Sequence, residues 1–270
     1  MTHLEAICRR RAMDVRHKKK SVPMRALEEH PLFDADRRSL AKALSRGAAE
    51  PIRWICELKK ASPSAGPIRP DLDIKQEVEK LAQAGASGFS ILTEPAFFGG
   101  SDEDLIQVRG LTEIPLLRKD FIIDEYQIVE ARSIGADAIL LIVAALDPFQ
   151  LRDLSQTAND LQLERLVEIH DLTELDAAVR ADPEMIGVNN RNLRDMAVSV
   201  DTSLSIIPKL PESVVRISES GIRDRETVLR LEGLGADGIL IGEFLMRSEN
   251  PSAALRLLRG LDPTGEEERV

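Results

Sequence analysis

Short apolar runs alternate with amphipathic helical patterns from residue 52 to residue 258, and this alternation predicts an α/β protein with a parallel sheet. There are eight such runs, each followed by a helical pattern, which is the number that a single (β/α)8 barrel, or TIM barrel, requires. Three similar segments, around Gly85, Gly135 and Gly235, each end a helix and begin a strand. Their separations of about 50 and about 100 residues indicate a repeating unit of roughly 25 residues, which suits this fold.

The predicted strands are short, rich in aliphatic residues and bounded by turn residues. They cover residues 52–58, 88–92, 114–118, 138–143, 164–168, 185–188, 214–218 and 238–241. Helical patterns cover residues 74–84, 102–108, 125–134, 148–159, 171–179, 202–207 and 225–231, and a short helical turn and a helix over 252–258 follow the last strand. An open, doubly wound sheet is the alternative arrangement, but no feature marks a reversal of strand order.

The composition is that of a soluble globular protein. Of the 270 residues, 43% are hydrophobic and 30% are charged, and aromatic residues are only 3%, so we expect an aliphatic core. The net charge of −10 argues against nucleic acid as a partner, and no apolar run approaches a membrane span. Cys8 and Cys56 form no CxxC pair, which fits a reducing compartment and suggests neither a metal site nor a disulfide. We expect a cytoplasmic monomer without a metal or organic cofactor.

The chain divides into a charged N-terminal helical extension over residues 1–48, a barrel over 49–262 and a charged tail over 263–270. Within the extension, Asp34 is expected to cap a helix that ends at Leu44. The basic run over residues 16–20 is explained either as a solvated helix face or as part of a lid that carries positive charge toward an anionic ligand.

Charged and polar residues collect at the C-terminal ends of the predicted strands, where barrels place their active sites. Glu57 and Lys59, at the end of the first strand, are two residues apart and therefore point to the same face. Such a pair is either a structural ion pair or part of a reactive site, because buried charge is costly unless it is paired or used. The fourth strand ends in apolar residues, and the others end in Thr93 and Glu94, Lys119, Glu168, Asn189 and Arg191, Glu219 to Gly221, and Gly242 and Glu243. Two lysines and several carboxylates at one mouth predict acid–base chemistry.

Two turns of small residues have the position of a barrel phosphate site. Ser220 and Gly221 follow the seventh strand, and Gly242 and Glu243 follow the eighth. Small residues let backbone N–H groups approach a phosphate, and a helix N-terminus adds its dipole. The alternative is that both are ordinary tight turns. Ser62 in the first loop could supply a further hydroxyl.

Two other features have both a structural and a functional explanation. His170, two residues after Glu168, either caps or packs at the start of the next helix or serves as a catalytic base. Phe97, Phe98 and Phe121 lie in loops that follow strands, and they either pack those loops or form an apolar wall against a flat ligand ring. The segment 233–238 matches GxGxxG, but it follows a helix and precedes a strand, which is the reverse of the dinucleotide-binding context.

Several of these stretches together resemble the indole-3-glycerol phosphate synthase family of tryptophan biosynthesis. The matching stretches occur in order at residues 57–64, 92–94, 97–100, 117–122, 166–170, 187–193, 218–222 and 240–243. The family resemblance implies a barrel with an N-terminal extension whose helix packs over the mouth. It also implies ring closure of 1-(2-carboxyphenylamino)-1-deoxyribulose 5-phosphate with loss of carbon dioxide and water. No metal or organic cofactor is implied.

The resemblance also implies a role for each matching residue. Lys119 is expected to be the general acid in ring closure, and Lys59 to hold the substrate carboxylate and to assist dehydration. Glu57 and Glu168 are expected to act in dehydration and to stabilise a cationic intermediate. Asn189, Arg191 and Glu219 complete the polar wall, and which carboxylate performs which step stays open. Substrate binding is expected of Ser62, Phe98, Phe121, Arg191, Leu193, Ser220, Gly221, Gly242 and Glu243.

The sequence departs from the family at Ala65, where lysine is frequent, and at Glu125, where proline is usual. Neither departure removes a proposed catalytic group. Lys119, near Lys59 and partly desolvated, is expected to have a lowered pKa. Two other functions stay open: a sugar-phosphate isomerase on a related barrel, since phosphate sites of this type are shared, and a non-catalytic barrel that binds a phosphorylated ligand.

Overall fold

Eight parallel strands close into a barrel, which confirms the predicted fold class. The structure is a computed structural model that describes residues 2–47, 49–63, 66–193 and 196–264. Ala65 and residues 265–270 of the predicted tail lie outside the described residues. The strands are β1 (Arg53–Leu58), β2 (Gly88–Leu92), β3 (Leu116–Lys119), β4 (Ala138–Ile142), β5 (Glu164–Ile169), β6 (Met185–Asn189), β7 (Val215–Glu219) and β8 (Gly238–Ile241). Each strand pairs with the next, and β8 pairs with β1.

Helices connect the strands, as the alternating pattern predicts. They are α1 (His3–Ser21), α2 (Met24–Glu28), α3 (Leu40–Leu44), α4 (Ile74–Gln83), α5 (Pro95–Phe98), α6 (Asp102–Arg109), α7 (Glu125–Ser133), α8 (Pro148–Asp160), α9 (Leu175–Arg180), α10 (Asp201–Ile206), α11 (Arg225–Gly233), α12 (Glu243–Arg247) and α13 (Pro251–Arg259). The helix predicted over 171–179 is divided, because a 3₁₀ turn, Leu172–Glu174, precedes α9. Within the described part of the chain, no helix combines the length and apolarity that crossing a membrane requires.

Alternation along each strand separates two apolar layers. Residues such as Cys56 and Phe89 face outward and pack under the helices, whereas Ile55, Leu117 and Leu166 face the barrel axis. Side chains two residues apart on a strand point to the same side. The next inward-facing residues toward the C-terminal ends of these strands are therefore Glu57, Lys119 and Glu168. Glu219 has the same position on β7.

The helix α3 closes the opposite end of the barrel from those charged residues. Leu40 and Leu44 on α3 are fully buried among the inward-facing aliphatic residues. A Cβ atom at Gly88, the first residue of β2, would lie 2.5 Å from Leu40 Cδ1, so any larger residue there would require Leu40 to shift. The predicted cap at Asp34 is wrong, because α3 begins at Leu40 and Ser39 caps it by accepting the N–H of Lys42. A short helix that caps itself locally does not need the upstream aspartate.

The N-terminal extension therefore contacts both ends of the barrel. At the mouth, His3, Leu4 and Ile7 of α1 line the cavity described below. Between the two ends the chain runs beside α7, where the Tyr126 hydroxyl donates a hydrogen bond to the carbonyl of Val22. A truncation intended to remove only the helix at the mouth has to stop before α3, because deletion through residue 45 would also remove two core leucines.

The basic run of α1 contacts carboxylates of neighbouring helices rather than the cavity. Lys18 Nζ lies 2.5 Å from both Asp102 and Glu130. Lys19 Nζ lies 2.7 Å from Asp124 at the start of α7. These contacts hold α1 against the side of the barrel, while Arg16 and Lys20 remain exposed.

Leu40→Ala is expected to lower the free energy of unfolding by about 2–5 kcal/mol, because it leaves a cavity in a core that has no room to rearrange. Equilibrium unfolding in urea, followed by circular dichroism, measures the change. Leu257→Ala is the matched control, since Leu257 lies on α13 and is 57% exposed. A loss from Leu40→Ala no larger than that of the control would show that α3 is not part of the core.

Candidate active site

A cavity of about 640 Å³ opens at the C-terminal ends of the strands. This volume is in the range of small-molecule sites. Its walls come from the ends of the barrel strands, the loops that follow them and the first turns of α1. The cavity is lined by every residue for which the family resemblance implies a catalytic or binding role: Glu57, Lys59, Ser62, Phe98, Lys119, Phe121, Glu168, Asn189, Arg191, Leu193, Glu219, Ser220, Gly221, Gly242 and Glu243.

Lys119 lies at the centre of the polar wall. Its Nζ is 2.9 Å from Glu168 Oε2 and 2.6 Å from Glu219 Oε2, and its side chain is only 13% exposed. Lys119 is the last residue of β3, Glu168 is the last but one of β5, and Glu219 is the last of β7. Closure of the barrel therefore brings them together from distant parts of the chain. One ammonium group thus bridges two carboxylates in a nearly closed space.

The expected lowering of the Lys119 pKa is wrong. Burial does favour the neutral amine, but the carboxylates of Glu168, Glu219 and Glu57 outweigh burial and raise the pKa of Lys119 above its usual value of 10.5. Lys59, which was expected to repel this ammonium, forms an ion pair with Glu57. Its Nζ lies 2.6 Å from Glu57 Oε2, and this carboxylate offsets the charge of Lys59. Lys119 therefore carries its proton at neutral pH.

The two carboxylates that contact Lys119 differ in their protonation. Burial opposes ionisation of Glu168, but Lys119 and His170 outweigh it and hold the pKa of Glu168 below its usual value. Burial and the nearby charge of Glu168 instead raise the pKa of Glu219 to about 7, despite Lys119. Within the described residues, Glu219 Oε1 is buried without a hydrogen-bond partner, which is costly for an ionised oxygen. Glu168 is thus ionised at neutral pH, while Glu219 is partly protonated.

Two glycines make room for these acids. A Cβ atom at Gly187 on β6 would lie 2.0 Å from Glu219 Oε1, and one at Gly242 would lie 2.5 Å from Glu57 Oε2. From the sequence, Gly242 is predicted to act only in a phosphate turn, and no role is predicted for Gly187. The signal for Gly187 was its position in a strand that also carries Asn189, since both point inward.

The turn after β7 has an unusual backbone. Ser220 has φ +68° and Gly221 has φ +82°, so two successive residues are left-handed. Such a conformation is rare for serine and tends to persist where the surroundings enforce it. Here Asn190 Nδ2 donates a hydrogen bond of 2.9 Å to the carbonyl of Ser220. Both N–H groups of the turn stay out of the barrel ladder, and the turn lines the cavity.

Arg191 lies beside this turn and is oriented by an acid. Its Nη2 is 3.2 Å from Glu243 Oε2, and its backbone N–H donates to Asn189 Oδ1 at 3.0 Å. Glu243 also contacts Arg247, at 3.1 Å. A cluster of two guanidinium groups and one carboxylate therefore borders the turn with net positive charge.

The opposite wall is apolar. The rings of Phe98 and Phe121 lie 5.9 Å apart, and both line the cavity, whereas Phe97 does not. Glu94, which also follows a strand, accepts hydrogen bonds from the N–H groups of Ala96, Phe97 and Phe98 and so caps α5. The charge at the end of β2 is therefore structural.

His170 contacts a site acid from outside the cavity. Its Nε2 is 3.3 Å from Glu168 Oε1, and its Nδ1 is 3.6 Å from Glu174 Oε2. Burial lowers the pKa of His170, but the two glutamates outweigh burial and raise it to about 10. A charged imidazolium held in this way cannot accept a proton, so His170 does not have the properties of a catalytic base.

A buried lysine between two carboxylates, at the mouth of a (β/α)8 barrel, defines a barrel enzyme whose site holds groups suited to acid–base chemistry. Solved barrels of low sequence identity share the fold. 3-Hexulose-6-phosphate synthase from Salmonella typhimurium has a TM-score of 0.63 at 12% identity, covering 77% of this chain and 97% of that one. Thiamine phosphate pyrophosphorylase from Pyrococcus furiosus has a TM-score of 0.59 at 15% identity, covering 82% and 96%.

Sequence comparison identifies the family within this class. The family model of indole-3-glycerol phosphate synthase matches residues 4–258. Relatives named indole-3-glycerol phosphate synthase include a protein of Chlorobium chlorochromatii, 43% identical over 91% of this chain and 95% of the relative. Another is from Salinibacter ruber, 45% identical over 91% and 90%. The chain belongs to the indole-3-glycerol phosphate synthase family, which confirms the resemblance.

The pH dependence of stability tests the contact of His170 with Glu168. Because the pKa of His170 is raised from 6.5 to about 10 on folding, its contribution is complete below pH 6.5 and is lost as the pH rises to 10. His170→Asn is therefore expected to destabilise the protein at pH 7 by at least about 1 kcal/mol, and by less as the pH approaches 10. Urea unfolding of both proteins at several pH values measures the difference, from which the other titrating groups cancel. A difference that does not change with pH would mean that His170 is neutral in the folded protein.

Proposed function

We propose that this chain closes the indole ring of 1-(2-carboxyphenylamino)-1-deoxyribulose 5-phosphate to give indole-3-glycerol phosphate, carbon dioxide and water. The main support for this proposal is the ammonium group of Lys119, which lies between Glu168 and Glu219. The same cavity is lined by the turn at Ser220 and Gly221, which is a candidate phosphate site. The substrate has a ketone to protonate, a phosphate, a carboxylate and an aromatic ring. The cavity has a group suited to each.

Lys119 protonates the substrate ketone during ring closure. The ring carbon that bears the carboxylate attacks the ketone carbon, a carbon–carbon bond forms, and the ketone oxygen takes a proton from Lys119. The positive charge that develops on the substrate nitrogen is neutralised when carbon dioxide leaves and its bonding electrons return to the ring. The raised pKa of Lys119 ensures that the proton is present when substrate arrives.

The remaining acids have distinct roles because their protonation differs. Glu168, which is ionised, stabilises the cationic intermediate and accepts the ring proton after water leaves. Glu219, with a pKa near 7, is 2.6 Å from Lys119 and returns a proton to it. Lys59 binds the substrate carboxylate until carbon dioxide is released. Lys59 and Glu57, which form an ion pair, then assist departure of the hydroxyl group in the dehydration step. Asn189 contributes a polar contact at the end of β6.

The phosphate and the ring bind at opposite walls. The turn at Ser220 and Gly221 presents backbone N–H groups, Gly242 and Glu243 follow the neighbouring strand β8, and Arg191 supplies positive charge. Phe98 and Phe121 contact the aromatic ring. Ser62 and Leu193 line the cavity and complete its polar and apolar surface.

Replacing Lys119 with methionine preserves most of the side-chain volume and removes the ammonium. Turnover, followed by the fluorescence of the indole product, is expected to fall by at least about 10²-fold, the lower range of general acid catalysis. Product affinity is expected to change far less, because the phosphate and ring contacts remain.

The matched control is Lys60→Met, because Lys60 is also a lysine that follows a strand but pairs with Asp104 outside the cavity, at 2.7 Å. Circular dichroism establishes that both variants are folded. If Lys119→Met lost product affinity in proportion to turnover, Lys119 would be an anion anchor and Lys59 would become the candidate acid.

We also propose that the extension over residues 1–48 serves as a lid through its first helix. Leu4 and Ile7 line the cavity and are buried. Ile7→Ala is expected to raise KM severalfold with little change in kcat, because it removes apolar contact area without moving a proton donor. Met13→Ala on the exposed face of α1 is the control, since Met13 is 53% exposed. Equal KM values in the two folded variants would contradict the lid.

We also propose that the enzyme is cytoplasmic and acts on a small molecule, and we expect it to work as a monomer; two further features fit the location and the substrate class. Cys8 and Cys56 are both free, which fits a reducing compartment. The net charge of −10 suits neither nucleic acid nor an anionic membrane surface.

A further inference from the structure

Asp120 lies next to Lys119 in sequence, but its carboxylate has different partners. It is 1% exposed and accepts four hydrogen bonds. Arg11 Nε donates to Oδ1 at 2.9 Å and Arg11 Nη2 to Oδ2 at 2.6 Å. Thr93 Oγ1 donates to Oδ2 at 2.8 Å, and the N–H of Phe121 donates to Oδ1 at 2.8 Å. Asp120 thus fixes the backbone between two residues that line the cavity, Lys119 and Phe121.

Arg11 is the contribution of α1 to this arrangement. Arg11 is 5% exposed, and its guanidinium donates hydrogen bonds to both carboxylate oxygens of Asp120. A two-pronged contact of this kind fixes direction as well as distance, which a lysine cannot do. The contact joins residues that are 109 positions apart in the chain. It therefore depends on how α1 packs against the barrel and not on local structure.

Lys18 makes a second contact between α1 and the barrel, and it does not touch Asp120 directly. Lys18 binds Asp102 and Glu130, and Arg118 Nη2 lies 2.5 Å from Glu130 and 3.0 Å from Asp102 on the inner side of the same acids. Arg118 Nη2 is also 3.2 Å from Asp120. The two attachments of α1 therefore differ in one respect: Arg11 contacts the residue that follows Lys119, and Lys18 does not.

We propose that Arg11 is a positioning residue that aligns Lys119 for proton transfer when α1 is docked on the barrel mouth. The proposal rests on the role of Lys119 in the proposed function. Lys119 and Asp120 lie where β3 ends, and Arg11 supplies two of the four hydrogen bonds that the Asp120 carboxylate accepts. Loss of the Arg11 contact allows the Lys119 ammonium to move away from the ketone oxygen. A misplacement of about 1 Å is enough to cost much of the rate of a positioned reaction.

This arrangement makes chemistry depend on the docked helix. Leu4 and Ile7 contact the ligand space from the same helix that carries Arg11. Docking of α1 therefore closes the cavity and aligns the acid in one movement, which is how closure and catalysis are coupled in enzymes with lids.

The test compares Arg11→Met with Lys18→Met by steady-state kinetics. Both variants remove one charged attachment of α1 and keep an apolar side chain of similar length. Arg11→Met is expected to lower kcat by at least about tenfold, whereas Lys18→Met is expected to leave kcat within about twofold and to act on KM. Arg11→Lys, which restores the charge but not the two-pronged contact, is expected to recover only part of kcat. Equal kcat losses in the Arg11→Met and Lys18→Met variants would overturn the proposal, because docking alone would then explain both.

A double variant distinguishes failure of this proposal from failure of the proposed function. If Arg11 acts through Lys119, adding Arg11→Met to Lys119→Met lowers kcat no further, and additive losses overturn the inference. If Lys119→Met alone retained turnover, the proposed function of Lys119 would fail instead. Should Arg11→Met not fold, Asp120→Asn provides the same test, because it keeps the shape and the acceptor oxygen for Phe121. Folded Asp120→Asn with unchanged kcat would also overturn the proposal.

Discussion

The period of two along parallel strands is the constraint on which both the core and the site depend. Ile55, Leu117, Leu166 and Ile217 face the barrel axis, and the residue two positions later in each strand is Glu57, Lys119, Glu168 or Glu219. A closed barrel forces these charged side chains into one small space directly above an aliphatic layer. Because that layer excludes water, each charge is strongly influenced by its neighbours and little by solvent. The same register thus builds a stable interior and a reactive mouth from one repeated pattern.

Charges at the mouth alternate in sign, and this order explains why chemically similar groups behave differently. Glu174, His170, Glu168, Lys119 and Glu219 follow one another through contacts of 2.6 to 3.6 Å. Glu168 lies between two cations and stays ionised, whereas Glu219 at the end of the series has one cation and an oxygen, Oε1, with no hydrogen-bond partner among the residues that the structure describes. Two glutamates on neighbouring parts of one barrel therefore differ in proton affinity because of position alone.

The sequence predicts those features that depend on local periodicity, including the eight strands, their inward-facing residues and the residues around the cavity. It fails where the answer depends on distances between strands. The pKa of Lys119 is raised because two carboxylates from β5 and β7 lie within 3 Å, which spacing along the chain does not reveal. The cap of α3 depends on where the helix packs, so Ser39 is used and Asp34 is not. Asp120 gave no signal beside Lys119, since its partner Arg11 lies in another element.

The position of α3 has a consequence for how the chain folds during synthesis. Leu40 and Leu44 leave the ribosome before any barrel strand, yet they pack among residues of strands from β1 to β8. Arg46 donates to the carbonyl of Ala236, which is 190 residues away. The side chains of Leu40 and Leu44 have no complete surface to pack against until nearly the whole chain has been made. Contacts of such long range form slowly and leave hydrophobic surface exposed in the meantime. The packing of Leu40 and Leu44 is therefore completed only after the last strand has been made.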